Sequence, residues 1–288
     1  MKSHRTIWYI TGVVVVLTAL FALSQETMAP RAVTPDQSIH VSIVDISPAQ
    51  ANQLVDTMLR CLEQDPAARR RNTRRIVEAV AVLAEEGAVE TAETNYALGV
   101  RYFGQRKLAE GEAAFNRAIA LRPDWSLPHN GLGILLHAAK RYDKAETAFK
   151  KAIEISPDQS RPYNDLAILL RHTGRLSEAE TYAKRALELD PNTLPTHNNY
   201  GNLLVDQQRY EEAEREYTRA SDMEPDHPAP YFNLACLASL RGDAERAIAL
   251  LHTAIVLDDR YLEEAREDED FDSIRDTAAF QELVRSGE

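Results

Sequence analysis

The chain has 288 residues, enough for one or two domains. Asp and Glu number 45 against 33 Lys and Arg, and the resulting net charge of -12 disfavours nucleic acid as a partner, because phosphate binding needs a basic surface. A hydrophobic content of 44% excludes full disorder, and two cysteines, Cys61 and Cys236, exclude a disulfide-rich scaffold and an all-cysteine zinc site.

Residues 7–23 carry no charge. As a helix they span roughly 25 Å at about 1.5 Å per residue, a little short for a hydrocarbon core of about 30 Å and long for the apolar part of a signal peptide. Lys2 and Arg5 precede the run, and Gln25 and Glu26 follow it. Positive charge stays in the cytoplasm, so everything after residue 25 is expected to be exported. Segment 1–24 is therefore either an uncleaved transmembrane anchor, leaving a single-pass membrane protein, or a signal cut near Ala22-Leu23-Ser24, leaving a secreted one. A buried soluble helix is the third reading, against which stands the lack of a polar face. No Cys lies near residue 24, which argues against a lipoprotein.

Residues 25–46, with Pro30 and Pro35 and no helical period, read as a flexible tether. Within it, 39–46 alternates weakly and reads as a short strand or as extended chain. Residues 47–91 read as a helical N-terminal cap: Ser47 before Pro48 signals a helix start, and Ile76, Val80, Leu83 and Ala84 follow a helical period. A separate pair of binding helices is the alternative. Arg69, Arg70, Arg71, Arg74 and Arg75 form a basic run that meets anionic lipid or an acidic partner, or is a solvated helix start.

From residue 92 the sequence repeats with a period of 34. Blocks begin at Asn95, His129, Tyr163, His197 and Tyr231. Small residues recur in phase at Gly99, Gly133, Ala167, Gly201 and Ala235. A second set follows at Gly111, Ala145, Ala179, Ala213 and Ala247, then Phe115, Phe149, Ala183, Tyr217 and Leu251, then Ala118, Ala152, Ala186, Ala220 and Ala254. Pro123, Pro157, Pro191 and Pro225 close four units, and Asp259 stands at that place in the fifth. The pattern describes a helix hairpin. Leu132 and Leu136, or Leu166 and Leu170, share one face of the first helix; small residues admit the second helix; proline ends the unit. No hairpin buries its apolar face alone, so the units stack.

This pattern resembles the tetratricopeptide repeat family over five units, 92–125, 126–159, 160–193, 194–227 and 228–261. The resemblance implies an all-α fold, a right-handed α-solenoid of five helix hairpins with helical caps, joined to the N-terminal transmembrane or signal helix. The family's first-helix Trp is replaced by Asn95, His129, Tyr163, His197 and Tyr231, and Gly111 replaces the usual Ala, which is expected to loosen the first hairpin. Residues 262–288 form the C-terminal cap. The stretch from Ala265 to Val284 resembles a terminating motif of bacterial arrays, which suggests a bacterial source, and Phe271, Ile274, Phe280 and Leu283 are expected to seal the last hairpin.

In this family the inner face of the first helices binds peptides. By helical phase that face here carries Tyr96, Val100 and Phe103, then Asn130, Ile134 and His137, then Asn164, Ile168, Arg171 and His172. Asn198, Asn202 and Val205 continue it, and Phe232, Cys236 and Ser239 end it. Asn130, Asn164 and Asn198 form one register; Asn199 and Asn233 form a second, with Asp165 in the unit before them. An Asn amide both donates and accepts, which suits an extended peptide backbone. The other reading is that these residues stabilise the hairpins or face water. Arg171, His172 and His137 form a group that either reads a carboxylate or is a solvated face. Cys236 reads as a small hydrophobe.

No phosphate loop, nucleophile elbow or metal-ligand grouping is present in the sequence, so no cofactor, metal or small-molecule substrate is expected, and the chain reads as a non-enzyme. The expected function is a membrane-tethered scaffold that binds a protein or peptide in the groove. The alternative is a non-catalytic regulatory or assembly subunit of an envelope enzyme or secretion complex.

Overall fold

The computed structural model describes residues 90–285. The segments 1–24 and 25–46, the cap as far as residue 89, the arginine run and Cys61 lie outside the described residues. Among the described residues there are twelve α-helices, one short 3-10 turn and no strand. None of these helices is long and apolar enough to cross a membrane.

The chain divides into two compact units at Ile155–Ser156. The first contains α1 (Ala92–Gly104), α2 (Leu108–Leu121), α3 (Ser126–Ala138) and α4 (Tyr142–Ile155). The second contains α5 (Ser160–His172), α6 (Leu176–Leu189), α7 (Leu194–Asp206), α8 (Tyr210–Met223), α9 (Pro228–Leu240) and α10 (Ala244–Leu257), followed by α11 (Arg260–Glu267), a 3-10 turn (Glu269–Phe271) and α12 (Ala278–Arg285). Each hairpin from α1 to α10 pairs a 13-residue helix with a 14-residue one.

The turn inside each hairpin has one geometry. Arg106, Lys140, Gly174, Gln208 and Gly242, each 34 residues after the last, have positive φ between 57° and 78°. The next N–H reaches back to close the helix end, from Arg141 to the Leu136 carbonyl at 2.9 Å and from Arg209 to that of Leu204 at 2.8 Å. Glycine enters this region freely, whereas Arg106, Lys140 and Gln208 carry a Cβ into it.

Packing inside the hairpins follows the small-residue register. A Cβ added at Gly133 would lie 2.6 Å from the Phe149 ring, and one at Gly99 would lie 2.6 Å from Phe115. Gly201 faces Tyr217 in the same way. Where the small residue is Ala167, the ring position holds Ala183, and both are buried. The second-helix stripe Ala145, Phe149 and Ala152 is enclosed, as are Ala179 and Ala186. The first hairpin is not loosened at Gly111: a Cβ there would meet the Leu135 side chain at 2.8 Å, so that leucine occupies the space. Leu132 is only half-buried, and Leu135 with Leu136 fills the core instead.

Two polar devices recur with the repeat. In the three middle blocks the opening residue reaches the carbonyl of the proline six positions earlier: His129 Nε2 lies 3.1 Å from Pro123, the Tyr163 hydroxyl donates to Pro157 at 3.1 Å, and His197 Nε2 lies 3.0 Å from Pro191. An arginine in the hairpin turn also bonds a glutamate on the preceding second helix. Arg141 grips Glu112 through both guanidinium ends, at 2.5 and 3.0 Å. In the second unit Arg209 donates to Glu180 at 2.8 Å and to Glu212 at 2.7 Å.

At the end of the second unit, Phe271, Ile274 and Phe280 are fully enclosed against α9 and α10, with Leu283 partly buried beside them. Phe271 meets Phe232 edge-on at 5.6 Å and Phe280 at 5.7 Å. Val284 joins this core as well.

Candidate functional site

The predicted site residues fall into both units. Asn130 and His137 are on α3 in the first. Asn130 is buried at 4% exposure, and His137 is half-buried with its ring 5.9 Å from that of Tyr142. The others lie on α5, α7 and α9, the first helices of the second unit's hairpins.

There the asparagines bond one another. Asn199 on α7 donates Nδ2 to Oδ1 of Asn164 on α5 at 3.2 Å. Asn233 on α9 donates Nδ2 to Oδ1 of Asn198 on α7 at 2.8 Å. The two links are the same contact moved on by one repeat, so they tie successive first helices together. Asn164 is mostly buried and also donates to Asp165 at 3.3 Å, while Asn198, Asn199 and Asn233 remain half-exposed. Asn202, one turn along α7, accepts from the Tyr217 hydroxyl at 2.7 Å. Burial pushes the Tyr217 phenol up, which keeps it a donor.

Farther along the same helices, Arg171 donates to Asp206 on α7 at 3.1 Å and lies 3.3 Å from His172 Nε2. Burial and then the Arg171 charge pull the His172 imidazole below its ordinary pKa, so the ring is neutral at neutral pH. The group predicted to read a carboxylate thus already holds one from its own chain.

Phe232, Cys236 and Ser239, assigned to the open face by phase, are buried instead. The segment after α11 covers them: Phe271 on Phe232, the Asp268 carboxylate 3.9 Å from the Cys236 thiol, and Ser273 3.1 Å from Ser239. Helical phase places a residue on a face but does not show what lies over that face. Cys236, Asp268 and Asp270 bring their donor atoms within 4.8 Å of one another. Burial, and then Asp268, pushes the Cys236 thiol up, and burial raises the Asp270 carboxyl, again helped by Asp268. These three groups lie where the segment after α11 covers α9.

Sequence reasoning missed the His197 environment. Its Nδ1 lies 2.6 Å from Glu216 on α8, and both side chains are enclosed. The hint in the sequence is a His and a Glu 19 residues apart in one hairpin, where the previous hairpin has Tyr163 and Tyr182.

Residues 126–192 and residues 204–267 each match a family model described as tetratricopeptide repeat. Among curated proteins none matches the sequence. Several solved structures are similar. PilW, a widely conserved type IV pilus biogenesis factor, gives a TM-score of 0.59 at 20% identity over 67% of this chain and 90% of its own. PilF of Pseudomonas aeruginosa gives 0.52 at 17% identity over 82% and 99%. A thermophilic TPR protein of Thermus thermophilus, TTC0263, gives 0.53 at 21% identity over 60% and 97%. At such identities the likeness is one of fold.

Proposed function

Because the chain belongs to the tetratricopeptide repeat family, whose members are non-catalytic protein-interaction scaffolds, we propose that it holds an extended segment of a partner protein against α5, α7 and α9. The observation that supports this reading is the pair of amide rungs, Asn164–Asn199 and Asn198–Asn233. Each link uses one N–H and one carbonyl, so each rung keeps both donor and acceptor capacity. An extended backbone offers an N–H and a C=O at every residue, about 3.3 Å apart along the strand. The rungs are also fixed by their own bonds, so the ligand does not have to order them on binding. Asn202 is proposed as a further contact by its register on α7; within the first unit Asn130 and His137 hold the corresponding register on α3. Arg171 with His172 would read a ligand carboxylate only by exchanging it for Asp206.

Placement at a membrane is part of the proposal. The uncharged run 7–23 behind Lys2 and Arg5 supports a single-pass anchor with the repeats outside the cytoplasm. Carbonate extraction and protease accessibility on sealed cells test this part: a freely soluble, protease-protected full-length protein would refute it. For the binding face, affinity for a partner peptide should drop in the Asn198→Ala, Asn233→Ala double variant while helical circular dichroism is unchanged. Full affinity with an intact fold would move the site elsewhere.

A further inference from the structure

A neutral imidazole carries one N–H and donates through one ring nitrogen only. His197 sets both nitrogens against groups that accept. Nε2 lies 3.0 Å from the Pro191 carbonyl, in the loop that follows α6, and Nδ1 lies 2.6 Å from Oε2 of Glu216 on α8. Neither side chain has much water to turn to, at 5% and 11% exposure. Arg219 donates to the other Glu216 oxygen at 3.2 Å. Only the imidazolium can donate to the Pro191 carbonyl and to a Glu216 carboxylate at once.

We propose that His197 is a proton-operated lock on the junction between the third and fourth hairpins. With two ring protons it ties the loop after α6, the start of α7 and α8 together. With one it gives up either the carbonyl of Pro191, an exposed residue, or the buried Glu216, and the three elements are no longer tied through one ring. The charges that act on the ring, Glu216 and Arg219, are both on α8, and the contribution from the α6 side is the uncharged Pro191 carbonyl.

The neighbouring hairpin shows that the position does not need a titrating group. Its equivalents are Tyr163 and Tyr182, with ring centroids 6.3 Å apart, and the Tyr163 hydroxyl supplies the proline contact at 3.1 Å. The fourth hairpin uses a group that responds to pH where a phenol would serve. The lock also sits next to Asn198 and Asn199, so releasing it loosens the start of the helix that carries both rungs. The lock itself does not depend on what the rungs bind.

The sign follows from linkage. The Glu216 bond raises the His197 pKa against the opposing effect of burial, with the Pro191 carbonyl adding to the rise. The stabilisation is complete below the ordinary imidazole value of about 6.5 and is lost as pH rises through the folded midpoint.

Ring-proton NMR and amide hydrogen exchange on the full-length protein test the proposal. The His197 midpoint should lie above about 6.5 and above that of His172, and Glu216→Gln should lower it. As pH crosses that midpoint, protection of the α7 amides from His197 onward should fall at least about threefold relative to the α9 amides, which share the intrinsic pH dependence of exchange. His197→Tyr, which copies Tyr163, should fold normally and show no such step, so it serves even if Glu216→Gln fails to fold. A His197 midpoint at or below the ordinary value, a flat α7-to-α9 ratio in the unmodified protein, or a step that survives in His197→Tyr would overturn the lock.

Discussion

Asn233 donates its side-chain amide to Asn198 one helix away at 2.8 Å, and Asn199 makes the same link to Asn164 at 3.2 Å. An amide ladder of this kind stabilises as well as displays. Asn233→Ala removes the donor and leaves the half-exposed Asn198 carbonyl to water, so the expected loss is about 0.5–1.5 kcal/mol. Chemical denaturation of the single variant checks this. A loss near zero would mean that the link is made no better than each amide's bond to water.

Gln208 holds a positive φ of 60° where the third and fifth hairpins have Gly174 and Gly242. A side chain in this region costs roughly 1–2 kcal/mol, partly offset by the smaller chain entropy of a non-glycine residue when unfolded. Gln208→Gly should therefore stabilise by about 0.5–1 kcal/mol, and Gly174→Ala should destabilise by a similar amount. Thermal melts of the two variants should shift in opposite directions. A lower melting temperature for Gln208→Gly would contradict the strain argument.

Gly133 and Ala186 allow no growth. A Cβ at Gly133 would lie 2.6 Å from Phe149, and Ala186 is 0% exposed. Gly133→Ala forces the phenyl ring to move, and Ala186→Leu puts a larger side chain into a filled interface. Each should cost about 1–3 kcal/mol. Unchanged denaturation midpoints in both would contradict the packing described for the hairpins.

Glu180 accepts from Lys184 and Arg209 at 2.8 Å, from Gln207 at 3.1 Å and from the Tyr200 hydroxyl at 3.2 Å. Burial pushes its carboxyl up, but the bonds from Lys184, Arg209 and Gln207 outweigh burial and bring it down to about 2. A depressed folded pKa contributes stability that is complete above the ordinary carboxylate value, near 4.3, and is lost as pH falls toward 2. The stability gap between the unmodified protein and Glu180→Gln should therefore shrink across that window. A constant gap from neutral pH to pH 2.5 would show that the network does not hold the carboxylate.

What was legible in the sequence is what repeats locally. The hairpins, the small residues at Gly99, Gly133 and Gly201, and the rings at Phe115, Phe149 and Tyr217 all answer to the 34-residue period. The terminal seal by Phe271, Ile274 and Phe280 was legible too, through the likeness of the stretch from Ala265 to Val284 to a terminating motif of bacterial arrays. The partners of polar groups were not. Asn198 and Asn199 were placed on the inner helices, but nothing in a register says that each amide pairs with one 35 residues away. Burial of Phe232, Cys236 and Ser239 depends on a turn that leaves the repeat pattern after α11. The loosening expected at Gly111 failed because Leu135 from another helix fills the gap, a compensation that a single position cannot reveal.

The central claim is that the amide rungs of α5, α7 and α9 bind an extended peptide. Its most direct measurement is calorimetric titration of a peptide selected from a random library on the full-length protein, repeated on the Asn198→Ala, Asn199→Ala, Asn233→Ala variant with its helical circular dichroism matched. The account predicts a weakening of about 1.5–4.5 kcal/mol, roughly ten-fold to two-thousand-fold in Kd, since each of the three lost amides contributes about 0.5–1.5 kcal/mol. An unchanged Kd on an intact fold would contradict it.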